Sequence, residues 1–440
     1  MSAGLNGRKT VGPNYKWYVV GMLWFIAFFN YADRQAIFSV LPLLEDEMEL
    51  TPVQLGWLGS SFAIVYGLGA PFAGFIVDRV RRKTAILAGL HVWSIICMAT
   101  ASSRNFTHLL FFRAAEGLGE TFYFPASMSL VSDYHGKNTR SRAMGLHQTS
   151  VYVGTIAGGF FAGLIGQHYG WRSSFVVFGA LGIVLGFVLQ RILVEPKRGT
   201  ADAAEANIRM PIAEKKASIR ESLRTIWSTP TAVMLMGAFV CANFVGVVLL
   251  TWMPKFVYDE FSLNLAESGL TATIFVHTAS LLAAPLGGWL ADSLRKRHPG
   301  GRMLVQTFGV LCGAPFIVLC GTAQTLTVLI VALTAWGFFK GLHDANIFAS
   351  IYEVIPPESR GAAAGFMNMV GWLGGGATAP VIVGYIAQNS SLGFAIATTS
   401  AVYVAAGIIF ILGILLFVRR DSERMQARLA ASTDSPNPFE

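Results

Sequence analysis

Charge is scarce in this chain. Only 13% of its 440 residues are Asp, Glu, Lys or Arg, 53% are hydrophobic, and the mean hydropathy is +0.53. A soluble globular chain is about a quarter charged. The deficit excludes an ordinary soluble domain and indicates a membrane protein with short loops. At about 20 residues per span, the length accommodates about a dozen spans. Cysteine is also sparse: Cys97, Cys241, Cys312 and Cys320 all fall in apolar segments without paired spacing. Neither a disulfide framework nor a metal site is implied. There is no Walker loop, no Gly-x-Ser-x-Gly elbow and no His/Cys ligand pair, so the sequence reads as a non-enzyme without cofactor or metal. The net charge of +8 resides in short basic clusters between apolar segments. That is the pattern of cytoplasmic loops and argues against a nucleic-acid partner. The polar start, MSAGLNGRKTVGPNYK, has no apolar core or cleavage site and reads as a retained tail.

Apolar periodicity predicts an all-α membrane protein with twelve transmembrane helices. They fall near 17–44, 54–77, 84–101, 108–133, 143–166 and 172–193, then 230–254, 266–291, 303–321, 325–354, 362–387 and 392–418. The expected organisation is a cytoplasmic tail at 1–16, a six-helix bundle at 17–194, a cytoplasmic linker at 195–228, a second bundle at 229–418 and a cytoplasmic tail at 419–440. Basic residues alternate between loops. Arg8, Lys9 and Lys16, then Arg79–Lys83, Lys137–Arg142, Arg295–Arg302, Arg360 and Arg419–Arg428 mark one side, whereas the first opposite loop carries Glu45, Asp46, Glu47 and Glu49. This bias predicts both termini in the cytoplasm of a multi-pass cell inner membrane protein. A monomer in the lipid bilayer is expected.

The two halves repeat. APFAGFIVDRVRRK from Ala70 aligns with APLGGWLADSLRKR from Ala284, each reading A-P-x-x-G-x-x-x-D before a basic cluster. Parallel six-helix repeats indicate a secondary transporter with its site at the midplane between halves. The first copy resembles the loop signature of the major facilitator superfamily, carried here by Gly74, Asp78, Arg79, Arg81 and Arg82. The resemblance implies the major facilitator fold with its two six-helix pseudo-repeats. In such a loop, carboxylates at helix ends pair with basic groups of neighbouring helices. Asp78, Arg79, Arg82 and Asp133, with Asp292 in the second copy, are the gating candidates, and Asp133 is a partner for Arg79. Topology-setting charge is the plainer alternative.

Charges within the spans carry the chemistry. RAAEGLGETFYFPA places Arg113, Glu116 and Glu120 in an apolar helix, where each charge costs roughly 2.5–3.5 kcal/mol even on forgiving scales. Residues seven apart differ by about 20° in direction, so Arg113 and Glu120 face the same way, with Glu116 to the side. A purely structural ion pair is one reading; a proton site tuned by a poorly solvated cavity is the other. In FFNYADRQ, Asp33 and Arg34 point about 100° apart, one toward a cavity and one toward a neighbouring helix, while Tyr31 and Arg34 share a wall.

N-Y-x-D-R followed by R-x-x-x-G-x-x-E and Phe124-Pro125, with GWRSSF, TWMPKF and GFMNMVGWLGGGATAPVIVG, resembles the anion:cation symporters. That group includes sugar-acid (galactonate, hexuronate) transporters and vesicular glutamate and sialic acid carriers. The resemblance implies proton-coupled symport of a small organic anion by alternating access. It makes Asp33 and Glu120 the protonatable carboxylates, and Arg34 and Arg113 the groups for substrate carboxylate or coupling. The pattern's second helix-11 amide is replaced: Asn368 is followed four residues on by Trp372, a flat apolar wall where a sugar hydroxyl would want a partner. Spinster-like transporters of lysolipids or amphipathic anions share the helix-1 and helix-4 patterns and are the alternative. The drug-exporter signature would place Gly-Pro in helix 5; GTIAGGFFAGLIG has none.

In the second half, WGFFKGLHDANIF carries Lys340 and Asp344 at i and i+4. They form either a self-compensated pair or a second positive pole for an anion. The substrate-binding candidates are therefore Tyr31, Arg34, Arg113, Gln148, Lys340, Asn368 and Trp372. His147 and His277 are buried-histidine candidates with either a titrating or a merely hydrogen-bonded role, and Glu116 has no assigned role.

Overall fold

The structure is a computed structural model that describes residues 12, 14–77, 79–196 and 218–433, so Asp78, most of the 1–16 tail, most of the 195–228 linker and residues 434–440 lie outside the described residues. Nineteen α-helices run through the described residues: α1 (Tyr15–Ser39), α2 (Leu41–Met48), α3 (Pro52–Val77), α4 (Arg82–Thr100), α5 (Phe106–Glu120), α6 (Tyr123–Tyr134), α7 (Lys137–Tyr169) and α8 (Trp171–Ile192) form the first half. The second half holds α9 (Ile219–Trp227), α10 (Pro230–Phe261), α11 (Leu265–Arg295), α12 (Gly301–Gly321), α13 (Leu326–Asp344), α14 (Ile347–Val354), α15 (Arg360–Val370), α16 (Ala379–Asn389), α17 (Leu392–Thr398), α18 (Ser400–Gly413) and α19 (Arg419–Thr433). No strand occurs among the described residues.

Ten of the expected spans are long and apolar enough to cross a membrane. The two that fall short are the ones loaded with polar groups. They are α1, with Asn30, Asp33, Arg34 and Gln35 all buried, and the α5–α6 pair, with Arg113, Glu116 and Glu120 buried. At 25 residues, α1 is still about 37 Å long at 1.5 Å per residue, enough to span. Hydropathy is lost where polar residues face the bundle interior.

Five expected helices are interrupted, the 392–418 helix between Thr398 and Ser400 and the other four each for a local reason. The 17–44 helix breaks at Val40, because Pro42 opens a new helix and restricts the residue before it. The 108–133 helix breaks between Glu120 and Tyr123, where Pro125 has no N–H to give to the carbonyl of Thr121. The 325–354 helix breaks after Asp344, and Asn346 Nδ2 takes up the carbonyls of Leu342 and Gly287 at 3.1 Å each. The 362–387 helix relaxes into a π-turn at Gly371–Gly376, seated on α10 by Asn243 donating to the carbonyl of Gly371 at 2.8 Å. π-bulges of this kind concentrate at functional sites. The breaks in the fourth helix of each half follow directly on an acid, Glu120 in one and Asp344 in the other.

One face of the bundle, which also carries the start of α1, is rich in Lys and Arg; the other carries the acidic α2. The halves meet on the α2 side. A Cβ on Gly269 would lie 2.1 Å from the carbonyl oxygen of Gly159, and one on Gly384 would lie 2.4 Å from that of Pro52, so only glycine permits these approaches. Toward the basic face a Cβ on Gly145 (α7), Gly288 (α11) or Gly365 (α15) meets nothing within 4 Å. The close approaches between the halves thus lie on the acidic side.

Candidate functional site

The centre of the site is one arginine in an aromatic enclosure. Arg34, near the C-terminal end of α1, is 5% exposed and donates from Nε at 3.1 Å and Nη2 at 2.5 Å to Glu120 Oε2 at the end of α5. Its guanidinium carbon lies 4.7 Å from the ring centre of Tyr31, 4.6 Å from Phe62, 5.1 Å from Tyr66 and 5.5 Å from Trp372. Such contacts favour a desolvated cation by up to about 2 kcal/mol. Three of these rings come from the first half, and Trp372 comes from the π-turn of the second. Trp372 also meets Tyr66 edge-on at 5.1 Å, so it closes the enclosure from across the interface.

Asp33 turns the other way. It is fully buried inside the first half, in the electrostatic reach of Glu116, Glu120, Arg113 and Cys97. The indole N–H of Trp93 lies beside it without closing a hydrogen bond of ordinary geometry. Arg113, also fully buried, pairs with Glu116 one turn on rather than with Glu120. Facing the same way along α5 does not bring Arg113 and Glu120 together, because Arg34 arrives from α1 and occupies the Glu120 carboxylate. Phe62 lies between the two arginines, 4.6 Å from Arg34 and 5.1 Å from Arg113.

Across the interface, Lys340 and Asp344 pair along α13, and His343 Nδ1 lies 3.0 Å from the other Asp344 oxygen. Tyr152 of α7 stands between the poles: its ring packs against His277 at 5.5 Å, and it lies in the electrostatic reach of Lys340, Asp344 and Tyr31. Gln148 is exposed one turn before it, and Asn368 is half-buried one turn before Trp372. Neither touches Arg34. His147 is buried and shares its Nε2 with the Tyr123 hydroxyl at 2.8 Å, a contact inside the first half.

The gating candidates sit on the basic face. Asp133 pairs with Arg82, not with Arg79 as its position at the end of helix 4 suggested; Arg82 starts α4 beside it, while Arg79 is exposed in the turn before. Arg82 also reaches Glu195 at 3.3 Å. The second half repeats the device, since Arg302 near the start of α12 holds Asp292 at 2.5 Å and Glu353 at 2.6 Å. Each cluster ties helices within one half.

An ion pair that joins the halves lies on the opposite face and was not singled out from sequence. Lys255 of α10, 8% exposed, pairs with Glu45 of α2 and, at 2.8 Å, with Asp259. Glu47 on the same short helix binds back to the first half, accepting from Trp171 Nε1 at 2.7 Å and Arg172 Nη1 at 2.6 Å. Burial raises the Glu47 carboxyl, but those hydrogen bonds and the Arg172 charge outweigh it and hold it below the usual range. The helix α2 is thus a strut across the acidic face. A lysine inside the apolar TWMPKF stretch and an acidic first loop were its traces in the sequence. Among the described residues, no group of His, Cys, Asp and Glu has metal-binding geometry.

Comparisons with known proteins agree with this architecture. The profile of the Major Facilitator Superfamily matches residues 23–378 and again 256–439. The chain is 26% identical over 398 residues to Protein spinster of Drosophila melanogaster, covering 88% of this chain and 64% of that protein. It is 26% identical over 428 residues to the probable galactarate/D-glucarate transporter of Bacillus subtilis (strain 168), covering 92% of each. Among solved structures, a bacterial homolog to the human lysosomal transporter Spinster, inward-facing and unoccupied, matches with a TM-score of 0.78 at 21% identity, covering 96% of this chain and 99% of that one. At that identity the likeness concerns the fold. The match over most of the length, the all-helical bundle and the two repeated halves agree: the chain is a transporter of the Major Facilitator Superfamily.

Proposed function

We propose that this transporter moves a small organic anion together with protons, by alternating access around Arg34. The observation that carries this reading is the Arg34–Glu120 pair. An incoming carboxylate and Glu120 compete for the same guanidinium, so substrate binding strands the Glu120 charge in a site without water-like solvation. A stranded buried carboxylate is relieved by taking a proton. Substrate and proton therefore bind together, and release of one restores the ion pair that expels the other. Asp33 serves as the second protonatable group, and Arg113 governs it from α5. Tyr31 lines the anchor, Trp372 caps it from the other half, and Gln148, Asn368 and Lys340 complete the wall. Proton-driven uptake needs no ATP.

With the Lys/Arg-rich face in the cytoplasm, the α2 strut closes the outside and the opposite end is the one that opens inward. The clusters around Arg82 and Arg302, with Asp78, Arg79, Asp133 and Asp292, then act on the cytoplasmic side as the outer contact gives way. We place the protein in the cell inner membrane as a monomer.

The aromatic enclosure supports a second reading. Four rings around the anchor and no amide at position 372 suit an amphipathic anion such as a lysolipid better than a polyhydroxylated acid. Uptake into proteoliposomes separates the two. Sugar acids, aromatic acids and lysolipids are compared with and without an inward proton gradient. Gradient-driven accumulation of a small acid that lysolipid does not inhibit supports the proposal. Competition by lysolipid alone, with no small acid transported, favours the alternative.

A further inference from the structure

The buried cluster of the first half holds three carboxylates against two guanidiniums. Asp33, Glu116 and Glu120 are 0%, 1% and 1% exposed, and Arg113 and Arg34 are 0% and 5% exposed. The other titratable groups facing Glu116 and its neighbours are the phenols of Tyr31 on α1 and Tyr66 on α3 and the thiol of Cys97 on α4, residue types that bring no positive charge. Fully ionised, the cluster would carry one uncompensated negative charge in a solvent-free interior, which is far costlier than protonating one acid. One proton therefore belongs to the cluster even with Arg34 engaged by Glu120.

Arg113 decides where that proton resides. Its Nη1 holds Glu116, while Nε and Nη2 have no hydrogen-bond partner in the protein, and neither does either oxygen of Asp33 nearby. One guanidinium thus faces two carboxylates and is bound to one. Resting on the proton-coupled reading above, we propose that Glu116 is a third proton-carrying carboxylate that shares Arg113 with Asp33. Ionised, Glu116 keeps Arg113 and leaves the proton on Asp33; protonated, it releases Arg113 to an ionised Asp33. The proton moves between two acids and the arginine stays charged, so the total charge is unchanged. When a substrate anion takes Arg34, Glu120 becomes the next proton acceptor, and the cluster passes from one bound proton to two. Glu116 acts through Arg113 and does not touch substrate; it is a positioning residue for the proton.

Infrared spectroscopy of the purified, full-length protein tests this without a transported substrate, through the carboxylic-acid carbonyl band that disappears from its position on deuteration. At about pH 7 wild type should show one buried protonated carboxyl. Glu116→Gln should lose it, because two carboxylates then face two arginines; Glu116→Asp should keep it. Arg113→Gln should raise it about twofold, because three carboxylates then face one arginine. The band must fall in the first variant and rise in the last; a band unchanged in either overturns the proposal, so loss of one variant to misfolding leaves the other decisive. In proteoliposomes with D-glucarate and D-glucuronate as probes, Glu116→Gln should shift the pH midpoint of uptake to the acid side by about one unit, tenfold in proton concentration. If neither probe is accumulated by any variant while the bands behave as stated, the coupling reading loses support and the charge count stands.

Discussion

Replacing Glu45 by Gln should open the acidic face. Glu45 is the only residue of α2 that pairs with the second half among the ion pairs of the described residues, and its partner Lys255 is nearly buried. The substitution keeps size and shape but removes the charge. A hydrogen bond to a charged group is worth about 1.5–3 kcal/mol. The Glu45 side chain is 29% exposed, and Lys255 keeps Asp259 at 2.8 Å, so about 1–2 kcal/mol is a fair share after solvent screening. Because the contact exists only while this face is closed, the loss falls wholly on this conformation. One or two kcal/mol is a factor of about 5–30 in a two-state ratio. Spin labels at Arg104 and Ser390 report the distance across the acidic face, and labels at Ser141 and Lys296 report it across the basic face; all four positions are exposed. The four native cysteines are replaced first. Glu45→Gln should lengthen the first distance and shorten the second in a substantially larger fraction of molecules. Distance distributions identical to wild type would refute the claim that this pair holds the halves together.

Other outcomes follow from the same contacts. Arg34→Lys keeps the charge but loses the fork that reaches Glu120 through both Nε and Nη2; substrate affinity measured by counterflow should fall about tenfold to a hundredfold, roughly 1.5–3 kcal/mol. Gly269→Ala puts a methyl 2.1 Å from the carbonyl oxygen of Gly159 in the other half, so the same spin-label pairs should shift as they do in Glu45→Gln. Glu47→Gln should lower thermal stability near neutral pH by about 0.5 kcal/mol, the scale of an exposed ion pair. The folded-state pKa of Glu47 is depressed, so its contribution is present above the ordinary carboxylate value and is lost as pH falls through the folded one. Wild type and Glu47→Gln should therefore converge in melting temperature in acid.

Much of the site was legible because charge inside an apolar segment is conspicuous. Asp33, Arg34, Arg113, Glu120 and the Lys340/Asp344 pair stood out on cost alone, and the 100° between Asp33 and Arg34 matches their divergence into two environments. Partnership was not legible. Which arginine meets which acid depends on how α1 and α5 rotate and slide against each other, and helical spacing on one element says nothing of that. The same holds for Asp133 and Arg82. Phe62 and Tyr66 were invisible as site residues because a core aromatic and a cation-stacking aromatic look alike in sequence. The helix break after Glu120 was hidden because a proline three residues into a new helix is as ordinary as one in a kinked long helix.

The coupling proposed above requires Glu120 to exchange Arg34 for a proton as substrate binds. The most direct measurement compares wild type and Glu120→Gln in proteoliposomes for two activities of one preparation: accumulation driven by a proton gradient and counterflow exchange without one. Glutamine mimics the protonated acid, so exchange should persist while gradient-driven accumulation falls to the level of passive equilibration. Gradient-driven accumulation by Glu120→Gln at the wild-type level would contradict the claim and leave Glu120 a structural partner of Arg34.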